Sequence, residues 1–125
     1  MDQLKSFAPV LARLFLTAMF LPEGIQAAGN IAGFTEYMLT GGVPAIFAWP
    51  AVLFEIALGL SMLLGFQARY MALLGAGFCI ATATLYHLHP SDDWAMIMFY
   101  KDLGVAGAFL MIFAHGPGKL ALDRN

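Results

Sequence analysis

Long apolar stretches, separated by short breaks, dominate the pattern of this chain. A helix needs about 20 mostly apolar residues to cross the hydrocarbon core of a bilayer. The stretches that reach this length cover residues 7–28, 45–65, 69–88 and 95–114. The breaks that separate or end them lie at 40–44, 66–69, 89–93 and 115–119, and most contain glycine or proline. The pattern therefore predicts four membrane-spanning helices.

The connections between these stretches restrict how the helices are arranged. Isolated strands are excluded because lipid leaves their backbone groups unsatisfied, and four long stretches cannot form a barrel. The 66–69 break is so short that the second and third helices must be antiparallel neighbours. Segment 29–44 mixes polar residues with Phe34 and Tyr37, which predicts an interfacial segment lying on the bilayer. We predict an all-α, four-helix transmembrane bundle that forms a single domain over residues 1–125.

Composition supports a membrane protein and excludes several other classes. Hydrophobic residues make up 61% of the chain and charged residues 11%, and the mean hydropathy is +0.78. Soluble domains average roughly 45–50% apolar and about 25% charged residues. The net charge of −2 comes without a basic stripe, so nucleic acid is not an expected partner. The single cysteine, Cys79, excludes an intrachain disulfide and a CxxC redox pair.

The positive charges near the ends of the predicted spans indicate their orientation. The N-terminal stretch MDQLK holds one acid and one base, and the apolar run after it exceeds a signal-peptide core, so we read it as a retained helix. Positive residues cluster on the side of the termini: Lys5, Arg69, Lys119 and Arg124. The other side holds Glu36, Asp92 and Asp93. This asymmetry predicts that both termini lie in the cytoplasm.

Several ionisable residues lie inside the predicted spans or at their ends, among them Lys101 and Asp102 at the start of the fourth, and five of these residues form the candidate site. Glu55 interrupts the otherwise apolar FEIALGLSMLLG, and Arg13 lies near the start of the first span. Glu23, His87 and Lys101 lie toward the opposite end of the bundle. A charge at mid-bilayer costs at least ~2.5–3.5 kcal/mol, so such groups normally face the bundle interior and pair. Depth predicts an Arg13–Glu55 pair and a Glu23–Lys101 cluster near His87; an unpaired, protonated Glu55 is the competing state.

Helical spacing places each of these polar residues on a face with small residues. The four faces are Arg13, Thr17, Phe20 and Gly24; Ala48, Glu55, Gly59 and Met62; Ala72, Ala76, Ala83 and His87; and Lys101, Gly104, Ala108, Ile112 and His115. Small residues let helices approach closely, so we predict that these faces form the helix contacts. The remaining leucine, isoleucine and methionine side chains would then face lipid.

The polar residues allow three interpretations that spacing does not separate. They fix the register of the helices, form a pocket for a small molecule or quinone, or line a proton or ion path. The loop HLHPSDD at 87–93 holds histidines and aspartates, but a polar loop is favoured over a metal site, and we predict none. Asp92 or Ser91 is expected to cap the fourth helix. A transporter would need a solvent path, for which four helices leave little room unless copies of the chain associate.

Several fragments, taken in order, resemble the DoxX family of small bacterial four-helix membrane proteins. They are Arg13-Leu14 with Phe20 and Gly24, GFTEYMLTGGVPA at 33–45, EIALGLSMLLGFQARYMA at 55–72, Lys101 with the LGVAGAFL that follows Asp102, and GPGKLALD at 116–123. The resemblance covers nearly the whole chain. Family members often carry a lysine three places after the residue matched by Gly24, whereas this chain has Ala27.

The resemblance implies a link to redox chemistry. The family is named after a subunit of a thiosulfate:quinone oxidoreductase, and other members resemble partners of redox or oxidative-stress proteins. Carried over, Arg13, Glu55 and Lys101 occupy the family's intramembrane polar positions. We expect an accessory subunit, not catalytic on its own, that lies in the lipid bilayer with other membrane subunits or redox proteins. The alternative is a membrane oxidoreductase that binds quinone, its one expected cofactor, or another small molecule; self-association is left open.

Overall fold

The computed structural model describes residues 2–123, whose regular secondary structure is helical throughout. The helices are α1 (Asp2–Gly29), α2 (Ile31–Thr40), α3 (Ala48–Leu64), α4 (Ala68–Thr82) and α5 (Asp93–His115). A 3₁₀ turn at Ala45–Phe47 precedes α3, and a π-helical turn at Ala83–His87 extends α4. Four apolar segments are long enough to span a membrane: Leu4–Gly29, Ala45–Leu64, Ala68–His87 and Asp93–His115. The predicted all-α chain with four long apolar helices is confirmed.

Side-chain caps and glycines define where the helices begin and end. The side chain of Asn30 accepts a hydrogen bond from the Gly33 N–H at the start of α2. Asp92 accepts hydrogen bonds from the N–H groups of Trp94 and Ala95. Of the two predicted caps, Asp92 and Ser91, the cap of α5 is therefore Asp92. Helix α3 ends at Gly65, whose φ of 66° is favourable only for a residue without a side chain.

The helices pack as two pairs that meet in one apolar core. Helix α1 packs along α3, α4 packs along α5, and α3 contacts α4. The core consists of Leu16, Phe20, Leu58, Met62, Ala68, Ala72, Ala76, Cys79, Ala106, Phe109 and Ile112. Large apolar side chains such as Leu11, Phe15 and Leu53 point away from it and are more than half exposed. This inside-out distribution is expected of a bundle whose outer solvent is lipid.

The predicted contact faces are correct for three helices and wrong for the last one. Thr17 of α1, Gly59 of α3 and Ala76 of α4 are buried with their predicted faces. On α5, however, Lys101 and Gly104 are exposed. The buried side chains of α5 are Ala95, Asp102, Ala106, Phe109 and Ile112. Because neighbouring residues on a helix point about 100° apart, choosing Lys101 over Asp102 rotated the predicted face away from the core.

Two glycines allow α1 and α3 to lie against each other. A Cβ atom on Gly59 would come within 2.8 Å of the Leu21 Cβ atom and 3.0 Å of the Leu21 backbone. A Cβ atom on Gly24 would lie 2.8 Å from the Ile56 side chain and 3.3 Å from the Glu55 Cβ atom. Neither position has room for a side chain unless the helices move apart. The α1–α3 contact therefore uses small residues in the manner common to membrane helices.

Replacing Gly59 with valine is expected to lower stability by about 1–3 kcal/mol, because the new side chain must push α1 away from α3. Heat denaturation in mild detergent measures this change. The readout is the reaction of Cys79 with a thiol-reactive fluorophore, because Cys79 is 2% exposed in the folded chain and becomes accessible on unfolding. Gly77→Val is the matched control because a Cβ atom there meets nothing within 4 Å. Equal midpoints for the two variants would contradict the close α1–α3 packing.

Candidate functional site

Arg13 is fully buried, and backbone carbonyl groups surround its guanidinium group. The Nε atom donates to Met62 O at 2.8 Å; Nη1 donates to Pro117 O at 2.8 Å and Lys119 O at 2.9 Å; Nη2 donates to Leu63 O at 3.3 Å and Leu120 O at 2.9 Å. Met62 and Leu63 lie in the last turn of α3, where carbonyl groups lack partners within the helix and favour a cation. The predicted Arg13–Glu55 ion pair is therefore wrong.

Residues 116–123, which we call the tail, close this end of the bundle. Leu122 N–H donates to Leu64 O, and Asp123 N–H donates to Gly65 O, both at 2.9 Å. The Asp123 carboxylate accepts hydrogen bonds from the N–H groups of Gln67 and Ala68 at 2.7 Å each. Asp123 thus caps α4 from a distant part of the chain. The tail and the α3–α4 turn lie at one end, as predicted, whereas Arg124 lies outside the described residues.

A cavity of about 470 Å³, which we call the main cavity, lies in the half of the bundle away from Arg13. Its lining residues come from all five helices and include the carboxyl groups of Glu23, Glu55 and Asp102. The remaining polar or aromatic lining residues are Phe20, Phe34, Tyr37, Phe47, Phe78, Cys79, Thr82, Tyr86, His87 and Lys101. Small-molecule sites are typically about 300–1,000 Å³ and mostly apolar, with a few polar groups. Four predicted site residues (Glu23, Glu55, His87 and Lys101) thus share one cavity, which Arg13 does not line.

Glu55 provides the most informative polar group of this cavity. The residue is only 4% exposed, and its Oε2 atom has no hydrogen-bond partner within the part of the chain that the structure describes. Gly24 lies against its Cβ atom, and Glu55 is one of the lining residues of the cavity. Buried polar atoms are almost always hydrogen-bonded, and an unsatisfied one costs free energy. An unsatisfied carboxyl group in the lining of a cavity is a candidate ligand-binding group.

His87 and Asp102 lie next to each other on the wall of the cavity. The His87 Nε2 and Asp102 Oδ2 atoms are 3.6 Å apart, and Asp102 is 8% exposed. The π-helical turn places His87 opposite α5. The predicted cluster of Glu23, Lys101 and His87 lines this cavity together, although Lys101 is exposed and no Glu23–Lys101 ion pair is found among the described side chains. The predicted site leaves out Asp102, although its spacing of seven from Ala95 and four from Ala106 is a signal for the buried face.

Helix α2 covers the cavity and is fixed there by aromatic contacts. The rings of Tyr37 and Tyr86 are stacked, with centroids 4.7 Å apart and an interplanar angle of 16°. The Tyr86 hydroxyl donates to Met38 O at 3.0 Å, and the ring lies over Gly41, which has no side chain to displace it. Burial raises the pKa of the Tyr37 phenol, and the neighbouring Tyr86 raises it further. Tyr37 therefore keeps its proton at neutral pH and can donate a hydrogen bond.

The main cavity combines aromatic walls with groups that can exchange hydrogen bonds and protons with a ligand. Its carboxyl groups, His87 and Tyr37 are donors or acceptors placed around an apolar space. Across residues 2–123, no group of three or more histidine, cysteine, aspartate or glutamate residues has the geometry to hold a metal ion. The arrangement is that of a binding cavity for a small, partly apolar molecule.

The fold and cavity define a small four-helix integral membrane protein with an internal polar site. A family model described as DoxX matches residues 8–88, and the chain belongs to the DoxX family. The Escherichia coli protein named Inner membrane protein YqjF is 34% identical over 124 residues, covering 99% of this chain and 95% of its own length. Inner membrane protein YphA of the same organism is 32% identical, covering 93% of this chain and 88% of its own length. No solved structure matches the chain significantly. The chain is therefore an integral inner-membrane protein of this family.

Proposed function

We propose that the protein binds a quinone headgroup, or a small molecule of similar size and polarity, in the main cavity. The observation that carries this proposal is the buried carboxyl group of Glu55, a lining residue of an aromatic-walled space of about 470 Å³, whose Oε2 atom has no partner among the described residues. A quinone ring is flat and apolar and carries two carbonyl oxygens, so it suits stacking on aromatic side chains and hydrogen bonding at its ends. The residues present therefore fit the quinone that the family implies.

The polar groups of the cavity have separate roles in this proposal. Glu55 exchanges a hydrogen bond with the deep end of the ligand, because it is the lining carboxyl group with an unsatisfied buried oxygen. The His87–Asp102 pair offers a second polar contact and a place for a proton. Tyr37 and Tyr86 supply a stacking surface on the side of α2. The chain has one cysteine and therefore no redox-active cysteine pair of its own. A bound quinone would supply the electron-accepting chemistry.

We propose further that the chain acts as an accessory subunit of a quinone-linked redox complex in the bacterial inner membrane, with its termini in the cytoplasm. The tail, the α3–α4 turn and the start of α1 lie at one end, which holds Lys5, Arg69 and Lys119. Positive residues favour the cytoplasmic side. Residues 1–125 are proposed as one domain, since Phe109 and Ile112 of α5 complete the core beyond the family match.

Binding of a short-chain ubiquinone analogue to the purified chain tests the proposed site. We expect stoichiometric binding by equilibrium dialysis in mild detergent. Glu55→Leu should weaken binding about fivefold to 150-fold, because a buried ligand group left without its hydrogen-bond partner costs about 1–3 kcal/mol. Glu55→Gln keeps a donor and an acceptor and should retain affinity within a few fold. At the same time, Glu55→Leu should leave the unfolding midpoint unchanged or raised, since it removes an unsatisfied buried group.

Glu36→Leu is the matched control for this experiment, because Glu36 is exposed on α2 and does not line the cavity. The control should bind as the unmodified chain does. Absence of stoichiometric binding by the unmodified chain, or equal affinity in Glu55→Leu, would refute the proposed site. Copurification of the chain with redox subunits from native membranes tests the accessory role separately.

A further inference from the structure

A second cavity lies at the opposite end of the bundle from the main cavity, between α1, α5 and the tail. We call it the tail cleft; its volume is about 710 Å³. Its walls are apolar and include Ala8, Pro9, Ala108 and Met111. The cleft exists because α1 packs mainly on α3 and α5 mainly on α4, so α1 and α5 diverge. An inference about the tail cleft does not depend on the quinone proposal.

The polar side chains that ionise around the tail cleft are all basic. Lys5 of α1, His115 of α5 and Lys119 of the tail line it, and all three are exposed. None of the carboxyl groups that the structure describes lines the cleft. Asp123, the described carboxylate of the tail, is held by the N–H groups at the start of α4. Among the described residues, the cleft therefore has a positive mouth and no carboxylate in its lining.

The tail fixes this arrangement against α1. Gly118 has a φ of +77°, and a Cβ atom on it would lie 2.8 Å from the Pro9 Cβ atom, so the backbone of the tail touches α1 here. This contact directs Lys119 along α1, where its Nζ atom is 5.4 Å from the centroid of the Phe7 ring. Lys119 and Lys5 both line the tail cleft. The tail backbone fixes where Lys119 starts, and α1 fixes where Lys5 starts.

We propose that the tail cleft binds one anionic phospholipid, with its phosphate at Lys5 and Lys119 and an acyl chain along the apolar wall. Charge complementarity favours an anion, and the long apolar wall favours a lipid over free phosphate. Basic pockets between membrane helices bind anionic headgroups in this way. The alanine and methionine side chains of the wall give a lipid acyl chain an apolar surface to pack against.

Native mass spectrometry of the purified chain with phosphatidylglycerol or phosphatidylcholine tests the proposal. We expect one tightly bound phosphatidylglycerol and no comparable phosphatidylcholine adduct. Each lysine contributes about a fivefold effect, so the double variant Lys5→Gln with Lys119→Gln should weaken binding about 25-fold. Replacement of both lysines by arginine should preserve binding. Arg69→Gln removes one exposed charge at the same end without touching the cleft, so it should bind normally and serves as the control for loss of charge.

A second pair of variants tests the apolar wall. Ala8→Trp fills the cleft from an exposed position of α1 and should displace the lipid, whereas Ala18→Trp, exposed on α1 outside the cleft, should not. Equal binding of the two lipids, or retained binding in the double glutamine variant, would overturn the proposal. Displacement of the lipid by millimolar inorganic phosphate would also overturn it, because the site would then recognise a free anion.

Discussion

Replacing Arg13 with methionine is expected to destabilise the folded chain by about 3 kcal/mol or more, because each buried carbonyl group left without a donor costs about 1–3 kcal/mol. The substitution keeps an unbranched apolar side chain but removes the donors of five hydrogen bonds. The carbonyl groups of α3 and of the tail would then be buried without partners. Labelling of Cys79 during heat denaturation in mild detergent measures the loss as a lower midpoint.

Two comparisons make the Arg13 prediction specific. Arg13→Lys should recover only part of the stability, because an ammonium group has three donors and lacks the planar fork that reaches both segments. Arg69→Met should have a midpoint within the error of the unmodified chain, since Arg69 is exposed at the same end of the bundle. A midpoint for Arg13→Met as high as that of Arg69→Met would show that the carbonyl contacts do not stabilise the fold.

A chain that ends at His115 is expected to lose nearly as much stability as Arg13→Met. Removal of the tail takes away the carbonyl groups of Pro117, Lys119 and Leu120, and it removes the Asp123 cap from α4. Loss of a cap alone costs about 1 kcal/mol. Asp123→Asn should therefore cause a smaller loss than the truncation, and the same Cys79 assay can rank the variants.

The tail prediction has a further check in the double variant. Because Arg13 and the tail contact each other, combining Arg13→Met with the truncation should cost much less than the sum of the single losses. A chain that ends at Asp123 keeps the tail contacts and should unfold at the midpoint of the unmodified chain. Additive losses in the double variant would mean that the two segments stabilise the bundle independently.

The helical bundle could be predicted because bilayer thickness and backbone hydrogen bonding leave few alternatives. Any apolar stretch of sufficient length must become a helix in lipid, so residues 45–65 and 69–88 were assigned from length alone. The small-residue faces of α1, α3 and α4 followed from the same reasoning, since glycine and alanine permit close contact. The π-helical turn at Ala83–His87 was not predicted, because no residue type marks the insertion that produces it.

The candidate site was predicted in part, and its errors have physical causes. Polarity in an apolar stretch was enough to identify Glu55, and depth placed Glu23 and His87 near one another. The predicted partner of Arg13 is wrong because charge and depth point only to side-chain partners, whereas backbone carbonyl groups have no signature in a sequence. Asp102 was missed because its neighbour Lys101 was chosen as the inward residue. The role of the tail depends on a contact across more than 100 residues, which spacing does not reveal.

The carbonyl shell of Arg13 also has a consequence for biosynthesis in the cell. Arg13 precedes Pro117, Lys119 and Leu120 by 104, 106 and 107 residues, so the ribosome synthesises it long before these acceptors exist. During translation at roughly 5–20 residues per second, the first helix waits several seconds or more with its cation incompletely satisfied. The guanidinium group of the nascent protein therefore needs other hydrogen-bond partners, from the insertion machinery or from lipid headgroups, until the tail has been synthesised.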